Sequence, residues 1–191
     1  MISPLKTEQI TGTTVLGALV VVLDYMLKFS GVKIPFPFLP TLRFDLDGIP
    51  IVLALFLYGP YSASMTCLVA FAAILFRSGI VLSASMKGLA EFATILGMLP
   101  FYRNSLNQLR DFAIISGVST RVLVMAIATL AAWPLLFKST EIALAFIPFS
   151  ALFNAIAGVI SISGGWLLYK AIFKRVRHLL PPKNHDGGPG T

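Results

Sequence analysis

Thr41-Leu42-Arg43-Phe44-Asp45-Leu46-Asp47-Gly48-Ile49-Pro50-Ile51-Val52-Leu53-Ala54-Leu55-Phe56-Leu57-Tyr58-Gly59-Pro60 is the stretch on which the reading of the fold turns. Three charges open it, Arg43, Asp45 and Asp47. Pro50 suits a first helical turn, an unbroken apolar run follows from Ile51 to Tyr58, and Gly59-Pro60 is a strong stop. The helix so bounded has only about 12 residues, whereas a bilayer-spanning helix needs roughly 20. It cannot cross alone unless its polar start also lies within protein at membrane depth. Charged, irregular backbone is tolerated there only inside protein or beside a water-filled cavity. Two readings are open: the wall and lip of a cavity on one membrane face, or a short re-entrant or tilted helix preceded by a solvated loop.

Composition sets the class. Of 191 residues, 57% are hydrophobic and 12% charged, and the mean hydropathy is +0.85. This is the balance of an integral membrane protein. The length suits about six spans with short loops. The formal net charge of +7 is of the kind cytoplasmic Lys and Arg give a membrane protein, and no basic patch with interleaved aromatics suggests a nucleic-acid partner. Cys67 is the single cysteine, so no intramolecular disulfide can form, and in its apolar run it reads as a small buried hydrophobe.

Working outward from the opening stretch, Thr11–Phe29 is a first apolar helix, with no small-x-small cleavage pattern after it, and it reads as retained. Ser30 to Leu42 holds Gly31, Pro35, Pro37 and Pro40 among aromatics and cannot be regular helix. It is a lid over a cavity or a loop on the membrane interface. Helices are expected over Pro60–Phe76, Met86–Tyr102 and Phe112–Phe137, with Ile80–Ser85 as a connection and Arg103–Asp111 as a polar loop. A last helix lies within Ile142–Phe173, starting near Pro148, after a turn at Lys138–Glu141. The expected architecture is an all-α integral membrane protein, a six-transmembrane-helix bundle over residues 1–180 with an outward-facing ligand cavity, and a disordered tail at 181–191. Six spans put both termini on one side, with Lys6, Arg103, Arg110 and the basic end Lys170, Lys174, Arg175 and Arg177, and the positive-inside rule makes that side cytoplasmic.

Chemistry-bearing residues are few. His178 and His185 both lie outside the apolar segments, which argues against an intramembrane His metal site or His base. There is no G-x-x-x-x-G-K-[ST] and no G-x-S-x-G, so neither ATP binding through a P-loop nor a hydrolase elbow is indicated, and no catalytic or metal-binding residue is assigned. Ionisable groups in or at the edge of spans are Asp24, Arg77, Lys87, Glu91 and Arg121. Each costs roughly 2.5–3.5 kcal/mol at a helix centre and so faces a partner or a cavity. Lys87 and Glu91, four apart, either neutralise each other or offer a donor and an acceptor to a ligand. Asn154 hydrogen-bonds a neighbouring helix or a ligand. Small residues four apart, Thr13/Gly17 and Thr14/Ala18 in the first helix and Ala157/Ser161/Gly165 in the last, allow close helix contact within the chain or with another subunit.

Together these segments resemble the substrate-binding S-component of energy-coupling-factor (ECF) vitamin transporters, in the form closest to the riboflavin type. L-R-F-D-L-D-G-I-P-I-V-L-A-L-F-L-Y-G-P looks like that family's second-helix motif, Lys87–Arg103 like its fourth helix, and Pro148–Lys170 like its last. The resemblance implies a six-helix bundle that takes a vitamin, riboflavin first, from outside. It implies docking on a transmembrane T-component driven by two ABC-type ATPases, with Thr14 and Ala18 on the docking face, and no cofactor for catalysis. The ligand site it implies lies at the outward end: Phe36, Phe38 and Phe44 covering ring faces, with Arg43, Asp45, Asp47, Lys87, Glu91 and Asn154 around them. Three positions depart from the riboflavin type: Ala157 where Lys is frequent, Glu91 where Asn is frequent, and Leu130-Ala131-Ala132 where another Asn is frequent. Lost buried donors change specificity strongly, so another vitamin or precursor stays open. So do an integral-membrane enzyme using Glu91 or Asp24, and an accessory subunit with no ligand.

Overall fold

A computed structural model of the chain describes residues 7–31, 34–101, 110–137 and 140–176. Six helices are described: α1 (Thr7–Phe29), α2 (Gly48–Tyr58), α3 (Pro60–Ser78), α4 (Val81–Met98), α5 (Arg110–Phe137) and α6 (Thr140–Val176). All but α2 are long and apolar enough to cross a membrane. The protein is a multi-pass membrane protein.

α2 forms where local chemistry demands it. Asp47 stands at the N-cap position without a side-chain cap hydrogen bond, and its carboxylate contributes through the positive end of the helix dipole. Pro50 sits in the first turn, where its missing N–H would have had no intrahelical partner. Gly59 ends the helix at φ 92°, a backbone state that disfavours side chains, and Pro60 begins α3 at once. From Ile51 to Leu55 every residue is buried, at 0–3% exposure. A helix apolar on all sides belongs in the centre of a protein, and α2 packs against α1, α3, α4 and α6. The longer helices surround it, with α1 on α3, α3 on α4, α4 on α5 and α5 on α6. Among lipid-facing helices, close packing rather than loss of water from apolar surface drives association. The small residues of α6 supply it here: a Cβ at Gly165 would come 2.8 Å from Val52 Cβ, and one at Gly164 2.8 Å from Ile49 Cδ1. The Ser161–Gly165 end of that stripe is an internal contact with α2.

Four expectations are corrected. The segment after α1 is not irregular throughout: β1 (Pro35–Phe36) and β2 (Leu39–Arg43) pair antiparallel, with Phe44 N–H donating to Ile34 O at 2.9 Å. A two-stranded ribbon is all edge, where proline's missing donor is tolerated. α4 begins at Val81, so Ile80–Ser85 is no connection, and it ends at Met98, before Tyr102. α6 begins at Thr140 and runs through Pro148, as spanning helices can when neighbouring groups satisfy the freed backbone. Arg110 and Asp111 belong to α5 rather than to a loop. The rest of that loop, Lys138 of the turn, and the 181–191 tail lie outside the described residues.

Candidate functional site

The two acids that precede α2, Asp45 and Asp47, are drawn into the bundle. Asp47 is fully buried and Asp45 partly so, with side-chain exposures of 0% and 14%. From α4, Lys87 reaches both. Its Nζ is in direct contact with Asp45 Oδ1, lies 3.8 Å from Asp47 Oδ2, and lies 4.0 Å from Glu91 Oε1. One ammonium thus faces three carboxylates. One turn further along α4, Glu91 is 1% exposed. Its Oε1 accepts from Arg121 Nη1 of α5 at 3.0 Å. Arg121, 2% exposed, also donates to Thr94 Oγ1 at 3.2 Å and, through Nε, to Asn154 Oδ1 of α6 at 3.3 Å. Asn154 Nδ2 donates to Ser150 O at 2.8 Å, and the Ser150 and Thr129 hydroxyls meet at 3.1 Å. A continuous polar chain therefore crosses the bundle from the head of α2 through α4 and α5 to α6.

Two features distinguish this cluster from a closed structural network. Glu91 Oε2 is buried and has no hydrogen-bond partner. An unmatched buried acceptor costs about 1–3 kcal/mol, more when charged. The same oxygen lies against Gly48, where a Cβ would stand 2.7 Å from it and collide with Ser161 Oγ. Glycine at the head of α2 is what lets α4, α2 and α6 converge there. Among the described residues, no group of three His, Cys, Asp or Glu side chains is placed to hold a metal ion.

The hairpin lies beside this cluster and is held by rings. Phe36, 2% exposed, contacts Phe38, Phe44 and Phe153 at centroid distances of 5.5, 5.9 and 5.7 Å. Phe44 lies 4.8 Å from Phe153, the residue before Asn154, and Phe38 stacks on Phe149 at 5.6 Å. Such pairs contribute about 0.5–1.5 kcal/mol each beyond area burial. The three phenylalanines singled out from sequence therefore sit together, next to the polar cluster. Arg43, at the end of β2, is exposed.

Sequence reasoning paired Lys87 with Glu91. The structure makes that the longest contact of the set, with Asp45 and Arg121 as the close partners. Arg121, Phe149 and Phe153 were missed as site residues. For Arg121 the signal was present, a cation in an apolar helix that must find an acid. A second, partly buried pair joins α1 to α3, with Arg77 Nε donating to Asp24 Oδ2 at 2.5 Å and Nη2 to Oδ1 at 3.1 Å. Thr14 and Ala18 are exposed and lie apart from the cluster. They line a groove of about 470 Å3 between α1 and α3, toward the end of the bundle where Gly12 meets Tyr58.

No protein-family model matches the chain, and no curated protein does. Among solved structures, a chain described as the S component of a bacterial ECF transporter is similar over 90% of this chain and 96% of its own length, with a TM-score of 0.63 and 24% sequence identity. The likeness is one of fold. The chain is a multi-pass membrane protein with the fold of that S component.

Proposed function

We propose that the protein is the substrate-binding membrane subunit of an ECF-type transporter, capturing a vitamin for ATP-driven uptake. The observation that carries the reading is the fold likeness over nine-tenths of the chain. The arrangement of residues agrees with it. A short central helix brings a buried, incompletely satisfied polar cluster beneath an aromatic hairpin, the kind of convergent polar site that fixes a small molecule. The ligand binds there, with the hairpin as its cover. The groove carrying Thr14 and Ala18 takes the transmembrane T-component, and two ABC-type ATPases supply the energy. The hairpin faces outward and both termini are cytoplasmic. Riboflavin is the first ligand to test, because the helix motifs are closest to the riboflavin type. Glu91 and Ala157 leave another vitamin or precursor open.

The test has two arms. Mass spectrometry of ligand released from the purified protein should find a vitamin-sized ring compound. Cells expressing the chain with a T-component and two ATPases should accumulate that compound only when ATP hydrolysis is intact. Turnover of the compound without ATPase partners would make the protein an enzyme, and absence of both ligand and uptake would make it an accessory subunit.

A further inference from the structure

α6 continues to Val176 with two unlike faces. One face is packed: Tyr169 meets Phe56 of α2 at a centroid distance of 5.6 Å, and Gly165 lies against Val52. The opposite face carries Ile156, Ile160 and Leu167, all exposed, at the four- and seven-residue spacings of a single helical stripe. Lys170 and Lys174 continue that stripe, and both are exposed. Arg175 is exposed beside them. Lys170 Nζ stands 5.0 Å from the centre of the Trp166 ring, one turn earlier, and the ring attracts the ammonium to the helix surface. Among the described residues, none of these three cations has a carboxylate partner; the ion pairs there use Arg77, Lys87 and Arg121. From Ile160 to Lys170 the helix rises about 15 Å, at about 1.5 Å per residue. That is half of the roughly 30 Å hydrocarbon layer of a bilayer. An apolar stripe one leaflet deep thus ends in two ammonium groups one turn apart. A tryptophan stands at the boundary, as interfacial aromatics and snorkelling lysines do.

We propose that the C-terminal end of α6 is a binding site for an anionic phospholipid, whose phosphodiester sits between Lys170 and Lys174 while an acyl chain follows Leu167, Ile160 and Ile156. Some lipid lies against this stripe in any bilayer, because the stripe is exposed and apolar. The two lysines decide which head group stays. A zwitterionic head group brings its own cation, which the lysines repel. An anionic one supplies the net negative charge that they otherwise lack. A soluble anion would use the lysines and leave the stripe idle, and an acidic protein surface has no need of an apolar face one leaflet deep. The inference rests only on the chain being a multi-pass membrane protein and goes beyond the transport reading.

The experiment places the full chain in phosphatidylcholine bilayers, with Trp133→Phe so that Trp166 is the only tryptophan. A minor fraction of the lipid is brominated and quenches a tryptophan that it touches. Brominated phosphatidylglycerol should quench Trp166 at least about threefold more than brominated phosphatidylcholine at the same mole fraction, as expected where two basic side chains hold an anionic head group. The excess should shrink as sodium chloride is raised, because salt screens exposed charges. It should vanish in the Lys170→Gln/Lys174→Gln variant. If that variant loses helix content by circular dichroism, Lys170→Gln alone carries the test and should at least halve the excess. Equal quenching by the two lipids in the parent protein, or an excess that survives the lysine changes, overturns the site. Displacement by millimolar glycerol phosphate also overturns it and makes the patch a site for a soluble anion. Unselective quenching together with lost T-component capture in the lysine variant overturns it in favour of an acidic protein. Failure of the uptake assay leaves the lipid site standing, and failure of the quenching assay leaves the transporter reading standing.

Discussion

Arg121→Met should be among the most damaging single changes to the fold, and Glu91→Gln should repair part of the loss. Arg121 has three hydrogen bonds inside the bundle, to Glu91 at 3.0 Å, Thr94 at 3.2 Å and Asn154 at 3.3 Å. Methionine fills much of its volume and removes all of them. Glu91 is then a buried carboxylate whose nearest described cation, Lys87, is 4.0 Å away and shared with two aspartates. Removing one side of a buried pair costs about 3–5 kcal/mol. Glu91→Gln alone keeps an acceptor for Arg121 and should cost less, about 1–3 kcal/mol. In the double variant no uncompensated carboxylate remains at position 91, so the two losses should not add. An interaction energy of about 2 kcal/mol is expected, within the range for residues in direct contact. Unfolding in mixed detergent micelles, titrated with a denaturing detergent and followed by circular dichroism, gives the four free energies. Additive losses, agreeing within about 0.5 kcal/mol, would mean that the two side chains are not partners and would refute the buried network.

Gly48→Ala should lose about 1–3 kcal/mol, because its Cβ would overlap Ser161 and crowd Glu91, and Ser161→Gly should recover part of that loss in the same unfolding titration. Arg77→Met should cost more than Asp24→Asn, since the first takes two charge-assisted hydrogen bonds from a carboxylate at 1% exposure while the second leaves a cation with 14% exposure and a route to water; the ratio of the two midpoint shifts checks it. Ala18→Trp should fill the α1–α3 groove, abolishing capture of the T-component in a pull-down while changing ligand affinity less than twofold, and retained capture would make the stripe a packing feature only. In a Cys67→Ala background, a single cysteine at Ile80 should react with an impermeant thiol reagent on intact cells and one at Glu8 only after permeabilisation, and the reverse pattern would invert the topology.

The elements that could be read from sequence are those marked by local chemistry. The bounds of α2 follow from Pro50 and from Gly59-Pro60, which act within a turn of themselves whatever the rest of the chain does. The start of α4 carries no such mark. Val81 to Ser85 mixes apolar and small residues that suit a loop or a helix, and Gly79, left-handed at φ 66°, ends α3 only just before it. Pro148 misled in the other direction, because a proline that breaks a helix in water can be carried inside one among packed helices. The hairpin was hidden because a strand is specified by its partner, and prolines at positions 35 and 40 count against a strand unless the ribbon has open edges. The site shows the same division. Lys87 and Glu91 are four apart and legible as a pair. The closest partner of Lys87, however, is 42 positions away and that of Glu91 is 30, distances that only the assembled bundle closes.

A charge inventory of the helices narrows that gap. An ionised group within a span must find a counter-charge, because leaving it alone costs several kcal/mol. α1 brings Asp24 and the end of α3 brings Arg77, and these two meet. α5 brings Arg121, and Glu91 of α4 is the acid left for it. That assignment strips Lys87 of its neighbour four positions on and leaves it needing acids from outside the long helices. The polar opening of α2 is the segment that supplies them. The shortness of α2 follows: Asp45 and Asp47 must lie inside the bundle to meet Lys87, so the helix that starts directly after Asp47 begins inside the bundle as well. An eleven-residue helix is what remains between that buried start and the glycine that ends it. The truncated helix and the carboxylate cluster are thus one feature, and lengthening α2 at its head would take the acids out of reach of Lys87.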